Sequence, residues 1–112
     1  PLCIATATDR YLVEAGLRRI GILDYVEFIL TCTEVGVGKD QPDIYETALR
    51  RLGTAKETTY VFEDALYAVE TAKRAGFPVV GVYDESASAM TERIRSLCDR
   101  FVVSFEHWQE CE

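Results

Sequence analysis

Apolar positions along the chain alternate between two periods. Leu2 to Ala7 is a short apolar run, too brief for a helix and suited to a strand buried on both faces. From Asp9 the period becomes helical: Leu12, Val13, Gly16, Leu17 and Ile20 share one face, with Thr8 as the expected N-cap and Gly21 as the stop. Phe28 to Cys32 reads as a second strand. Pro42 then opens a helix at its first position, with Ile44, Tyr45, Ala48, Leu49 and Leu52 as its stripe and Gly53 as its close. Thr59 to Phe62 is a third strand. The helix after it runs from about Ala65 to Ala75, turns Leu66, Val69 and Ala72 inward, and stops at Gly76 and Pro78. A strand at Val79–Tyr83, a helix at Ala87–Leu97 carrying Met90, Ile94 and Leu97, and a strand at Phe101–Val103 continue the alternation. Phe105 to Gln109 is expected to add a last helical turn, with Trp108 over a sheet edge.

This β-α-β-α order predicts one α/β domain over residues 1–112, with an open, mostly parallel sheet and helices on both faces. In such sheets ligands bind beyond the carboxyl ends of the strands. Thr6, Lys39 and the pair Glu63-Asp64 each follow a strand there, so they are expected on one rim. A hydroxyl, an ammonium and two carboxylates suit a phosphate and a magnesium ion. Each has a plainer alternative. Thr6 alone is a strand-end residue, Lys39 alone a solvated loop lysine, and Glu63-Asp64 alone a helix cap favoured by the dipole. Asp43 is expected only as an acid in a first helical turn.

Composition narrows the partners. The 112 residues are 48% apolar, within the globular range, and no apolar run approaches the length of a membrane helix. A net charge of −7 argues against nucleic acid, whose backbone requires clustered Lys and Arg. Cys3, Cys32, Cys98 and Cys111 show no Cys-x-x-Cys spacing, which disfavours zinc ligation and a redox pair and suits a reduced, cytoplasmic setting. His107 has no partner at a recognisable spacing and reads as a surface or packing residue. Tyr11, Tyr25, Phe28 and Trp108 read as core or edge cover, and Arg18-Arg19 and Arg50-Arg51 as solvated helix faces.

Three segments, in order, resemble the haloacid dehalogenase superfamily, in the group with β-phosphoglucomutase and phosphoglycolate phosphatase. Ile4-Ala5-Thr6-Ala7-Thr8 looks like the second motif, whose hydroxyl holds phosphate. Gly38-Lys39-Asp40-Gln41-Pro42-Asp43 looks like the stretch carrying the third-motif lysine. Val61-Phe62-Glu63-Asp64-Ala65, followed by Ala72 to Phe77 and Val79 to Val82, is similar to the acidic fourth motif. The resemblance implies a three-layer α/β/α Rossmann-like core and a Mg²⁺-dependent phosphatase working through an aspartyl-phosphate. It implies Thr6 and the Ala7 backbone N–H on phosphate, and Lys39 between phosphate and nucleophile. Asp64 would ligate the metal directly, with Glu63 beside it or acting through water. A receiver domain shares this inventory, but there the acids come before the Thr and the Lys.

Departures from the family pattern set further expectations. Asp40 stands where proline is usual, and Ala65 where a hydroxyl is frequent. The first motif, with its nucleophilic Asp and a second Asp two residues on, is missing, as is the cap domain. The chain therefore reads as the C-terminal part of an incomplete core, inactive alone. Leu2–Ala7 and Thr59–Phe62 would then lack the strand between them. They would pair directly, receive a second copy, or await the segment missing from a longer protein, the last being preferred. The ligand is expected to be a small phosphorylated metabolite. A phosphosugar mutase and a non-catalytic phosphate-binding module are the alternatives.

Overall fold

Five strands form among residues 1–106, which the computed structural model describes, and every pairing is parallel. The expected turn at Phe105–Gln109, the edge cover by Trp108, the role of His107 and the Cys111 thiol fall wholly or partly outside the described residues. The α/β class is thus what the alternation required. The strands divide into two ladders, and the chain into two compact units, Pro1–Thr54 and the residues from Ala55 onward. The direct pairing considered for Leu2–Ala7 with Thr59–Phe62 is not among the ladders. No helix of the described residues is long and apolar enough to cross a membrane.

In the first unit β1 (Ile4–Thr6) pairs with β2 (Ile29–Thr31), and helix α1 (Arg10–Arg19) connects them. A four-residue helix α2 (Cys32–Val35) follows β2 directly, so Cys32 opens a helix instead of ending a strand. Helix α3 (Asp43–Leu52) packs on β1 and β2 and buries Ile44, Tyr45 and Ala48. Pro42 stands at its N-cap position, so the helix starts one residue later than expected, and Gly53 ends it at φ 69, a left-handed conformation that glycine adopts without strain. Asp43 lies in its first turn, as an acid favoured by the dipole. Arg51 stands 4.1 Å over the half-buried Phe28 ring, so this arginine covers an aromatic as well as facing water.

Helix α1 departs from its expected role. Its N-cap position is Asp9, not Thr8, and none of its residues is buried. Leu12 and Ile20 are exposed, as are Tyr11 and Tyr25, which were expected as core or edge cover. The periodicity located the helix, but its apolar face is only partly covered: Val13 and Leu17 are half-buried while Leu12 and Ile20 face solvent.

In the second unit the order is β3 (Val61–Glu63), β4 (Val79–Val82), β5 (Arg100–Val102). Helix α4 (Leu66–Arg74) buries Ala68, Val69, Thr71 and Ala72. A 3₁₀ turn at Glu85–Met90 precedes α5 (Thr91–Leu97), so the expected helix begins later and Met90 is exposed. Val69, Val79 and Val102 are fully buried, each contributing about 1.5–3 kcal/mol. Tyr60 and Phe62, in a run expected to have strand neighbours on two sides, are about half exposed, and among the described residues β3 pairs with β4 alone. The Phe62 ring stacks on Phe105 at 6.5 Å.

Two polar or steric details fix this unit. Asp99 Oδ2 accepts from the Val79 N–H at 2.8 Å and from Lys73 Nζ at 2.9 Å, tying α4 to the start of β4. The Val79 bond, helped by Lys73, holds its carboxyl below the ordinary range. Gly81 has no room for a side chain: an added Cβ would lie 2.6 Å from Cys98 Sγ and 3.0 Å from Phe101. Burial pushes the Cys98 thiol up, away from the reactive thiolate.

Replacing Gly81 by Ala is expected to lower unfolding free energy by about 1–3 kcal/mol through overpacking; an unchanged urea midpoint would show that the strand yields. Asp99→Ala is expected to cost about 1 kcal/mol near neutral pH. Because the folded carboxyl titrates lower than the unfolded one, its contribution is complete above the ordinary carboxylate range and disappears as pH falls through the folded value. The difference between wild type and variant should shrink on acidification, and a constant difference would contradict the assignment.

Candidate functional site

Parallel pairing places the β1–α1 and β2–α3 connections at the same carboxyl end of their ladder. Thr6 stands opposite Thr31 in register, each the last residue of its strand. Thr6 Oγ1 accepts from the Thr8 N–H at 3.0 Å. That bond turns the chain after β1, and the N-cap position of α1 falls on Asp9, one residue beyond Thr8. Used as an acceptor there, the hydroxyl keeps its own proton for another oxygen. Ala7 is exposed at the crest of this turn.

Thr31 begins the segment leading to Lys39. Its Oγ1 accepts from the Glu34 N–H at 3.1 Å, and its own N–H donates to Glu34 Oε1 at 3.3 Å, a reciprocal cap on α2. Gly36 closes α2 at φ 99, donating to the Cys32 carbonyl at 2.8 Å. The Gln41 N–H then donates to the Gly38 carbonyl at 3.2 Å, so half-buried Lys39 occupies the second position of a tight turn before α3.

Sequence reasoning missed Arg10. Its Nε donates to Glu34 Oε2 at 2.7 Å and its Nη2 to Oε1 at 2.8 Å, a two-pronged pair between α1 and α2. Nη2 also donates to the Ile29 carbonyl, and Nη1 lies 3.5 Å from Glu14. The guanidinium holds the Glu34 carboxyl at about 2, and Glu34 in turn raises Arg10 further above its ordinary value. Thr31 and Glu34, three apart, carried a visible capping signal, but reading Cys32 as strand hid it. The pairing of residues 10 and 34 left no local trace.

In the second unit Glu63 ends β3 opposite Gly81 and is buried, while Asp64 is exposed just beyond. The capping alternative for this pair is not realised. Ala65 occupies the N-cap position of α4, and no acidic residue lies in its first turn. Asp84, following β4, accepts from the backbone N–H and hydroxyl of Ser86, which lower its carboxyl and commit it to the local turn.

The described residues contain no group of three or more His, Cys, Asp or Glu suited to a metal. Two adjacent carboxylates nevertheless match Mg²⁺, which takes hard oxygens and is held by one or two carboxylates plus water and phosphate oxygens. By donor chemistry Glu63 and Asp64 fit. The structure thus puts Thr6, Ala7 and the start of the segment leading to Lys39 at the carboxyl end of the β1–β2 ladder, and Glu63 and Asp64 at the end of β3 in the second unit.

Comparison with known proteins places these segments in context. Residues 1–76 match the haloacid dehalogenase-like hydrolase family. The chain is 33% identical over 108 residues to a validoxylamine A 7'-phosphate phosphatase of Streptomyces hygroscopicus subsp. limoneus, covering 96% of this chain and 51% of that protein. A phosphorylated carbohydrates phosphatase of Thermotoga maritima is 37% identical over 75 residues, 67% of this chain and 35% of its own length. Among solved structures, a β-phosphoglucomutase-like protein of Thermotoga maritima superposes with TM-score 0.77 at 29% identity, covering 99% of this chain and 53% of that one. The chain therefore spans about half the length of these two longest matches, and about a third of the carbohydrate phosphatase.

Proposed function

Because this chain belongs to the haloacid dehalogenase-like hydrolase family, we propose that it carries the phosphate- and cation-binding part of a phosphate-monoester hydrolase acting on a small phosphorylated metabolite in the cytoplasm. The observation that carries this reading is the register of Thr6 with Thr31, which sets the hydroxyl turn beside the head of the segment presenting Lys39. The names of similar proteins support it, since they are phosphatases of validoxylamine A 7'-phosphate, of phosphorylated carbohydrates and of fructose-1-phosphate. Those names also favour hydrolysis over transfer between sugar hydroxyls.

In this reading the Thr6 hydroxyl and the Ala7 N–H donate to one phosphate oxygen, ahead of the first turn of α1. Lys39 acts as a compact point charge where negative charge accumulates during phosphoryl transfer. Asp64 holds a Mg²⁺ ion directly, with Glu63 beside it or acting through water. The cation supplies two positive charges against the phosphoryl oxygens. The attacking carboxylate comes from a first-motif strand outside these 112 residues, which contain no Asp-x-Asp. The single-sided pairing of β1 and β3 and the exposure of Leu2, Tyr60 and Phe62 support the need for such a strand.

The test is Mg²⁺-dependent hydrolysis of a generic phosphate ester, by this chain and by a version extended upstream through the first motif. No turnover is expected from the former and turnover from the latter. In the extended enzyme Lys39→Ala should lower kcat by on the order of 10²–10³-fold with the fold intact. Turnover by the 112-residue chain would refute the external nucleophile, a near-normal Lys39→Ala rate would remove the lysine from the site, and indifference to chelation would remove Glu63 and Asp64.

A further inference from the structure

The turn that presents Lys39 is attached to an element with little stability of its own. Helix α2 has 4 residues, far below the length at which a helix persists through its own hydrogen bonds. What holds it is the reciprocal bonding of Thr31 with Glu34, and the two-pronged grip of Arg10 on Glu34. Arg10 is in turn the first residue of α1, directly after the Thr6–Thr8 turn. The Phe28 carbonyl accepts from the Ile4 N–H in the ladder, so by alternation the Ile29 carbonyl faces away from β1. The guanidinium satisfies that outward carbonyl too. One side chain therefore joins three pieces: the connection after Thr6, the edge of β2, and the short helix before Lys39.

We propose that Arg10, Glu34 and Thr31 form a positioning clamp that fixes the Gly38–Gln41 turn, and with it Lys39, relative to the Thr6 turn. These are positioning residues that act through the backbone they hold; none is assigned contact with the phosphate. The reading of Lys39 as a phosphoryl-transfer residue is the premise on which the catalytic side of this proposal rests; the geometric side stands without it. The fork geometry explains why an arginine is used. An ammonium at position 10 delivers a single point of attachment and cannot grip both carboxylate oxygens and the Ile29 carbonyl together in a fixed plane.

The experiment uses Arg10→Gln, Glu34→Gln and Arg10→Lys with two readouts. Amide hydrogen exchange in the chain itself should accelerate at Gly36 and at 38–41 by on the order of tenfold in both Gln variants, less in Arg10→Lys, with amides of α3 unchanged as the internal control for folding. In the version extended upstream, kcat for Mg²⁺-dependent phosphate-ester hydrolysis should fall by about 10²-fold in Arg10→Gln while KM moves little, with partial recovery in Arg10→Lys. Unchanged exchange over 36–41 overturns the clamp. Accelerated exchange with unchanged kcat overturns its role in positioning Lys39. An inactive wild-type enzyme instead removes the phosphatase reading, and the exchange data still decide the clamp.

Discussion

Parallel pairing between β1 and β2 is the constraint from which the first unit's chemistry follows. Strands that run the same way deliver their last residues to the same end, and the register sets Thr6 against Thr31. Two polar turns are built outward from that pair: one threonine turns the chain into α1, the other caps α2. A ladder of three pairs is weak by itself. Its support comes from α3, whose Ile44, Tyr45 and Ala48 are buried on it, and from the polar bonds that stitch α1 and α2 to its outer edge.

How far the fold was legible depended on what kind of force places each element. Helices α3 and α4 were clear because their apolar stripes are buried as the 3.6-residue period requires. Helix α1 has the same period, yet Leu12 and Ile20 face solvent; a stripe predicts a helix and demands a cover, but it does not supply one. Phe62 fails for a related reason. An apolar strand residue is buried only if the face it points to is covered, and Phe62 remains about half exposed. Local signals were read as far as one element at a time allowed. The Thr31–Glu34 cap is written in four consecutive residues, but treating Cys32 as the end of a strand concealed it.

The candidate residues were legible by type and strand position, and those that hold their segments were not. Thr6 and Glu63 end their strands, Asp64 comes next, and Lys39 lies beyond α2 on the turn before α3, all within reach of a strand-end rule. The failed capping role of Glu63-Asp64 sharpens the reading, since the plainer explanation required acids at the start of α4 and Ala65 stands at the cap instead. Arg10 could not be read this way. Its partner lies 24 residues along the chain, and an arginine near a helix start looks unfavourable to the dipole until the tertiary carboxylate is known.

The energetics of the Arg10–Glu34 pair point to geometry rather than stability as its consequence. Both side chains are about 40% exposed, and solvent-screened ion pairs of this kind contribute little to stability. A chain in need of stability would gain more from covering Leu12 or Ile20, where transfer from water contributes about 25 cal/mol per Å² of apolar surface. What the pair supplies that an apolar contact lacks is direction: two bonds in one plane, with a third to a backbone carbonyl, define both distance and angle. Because Arg10 holds the Glu34 carboxyl below the ordinary carboxylate range, the pair stays charged at neutral pH. Two weak elements, a strand edge and a one-turn helix, thereby acquire a fixed relation that their own length does not provide.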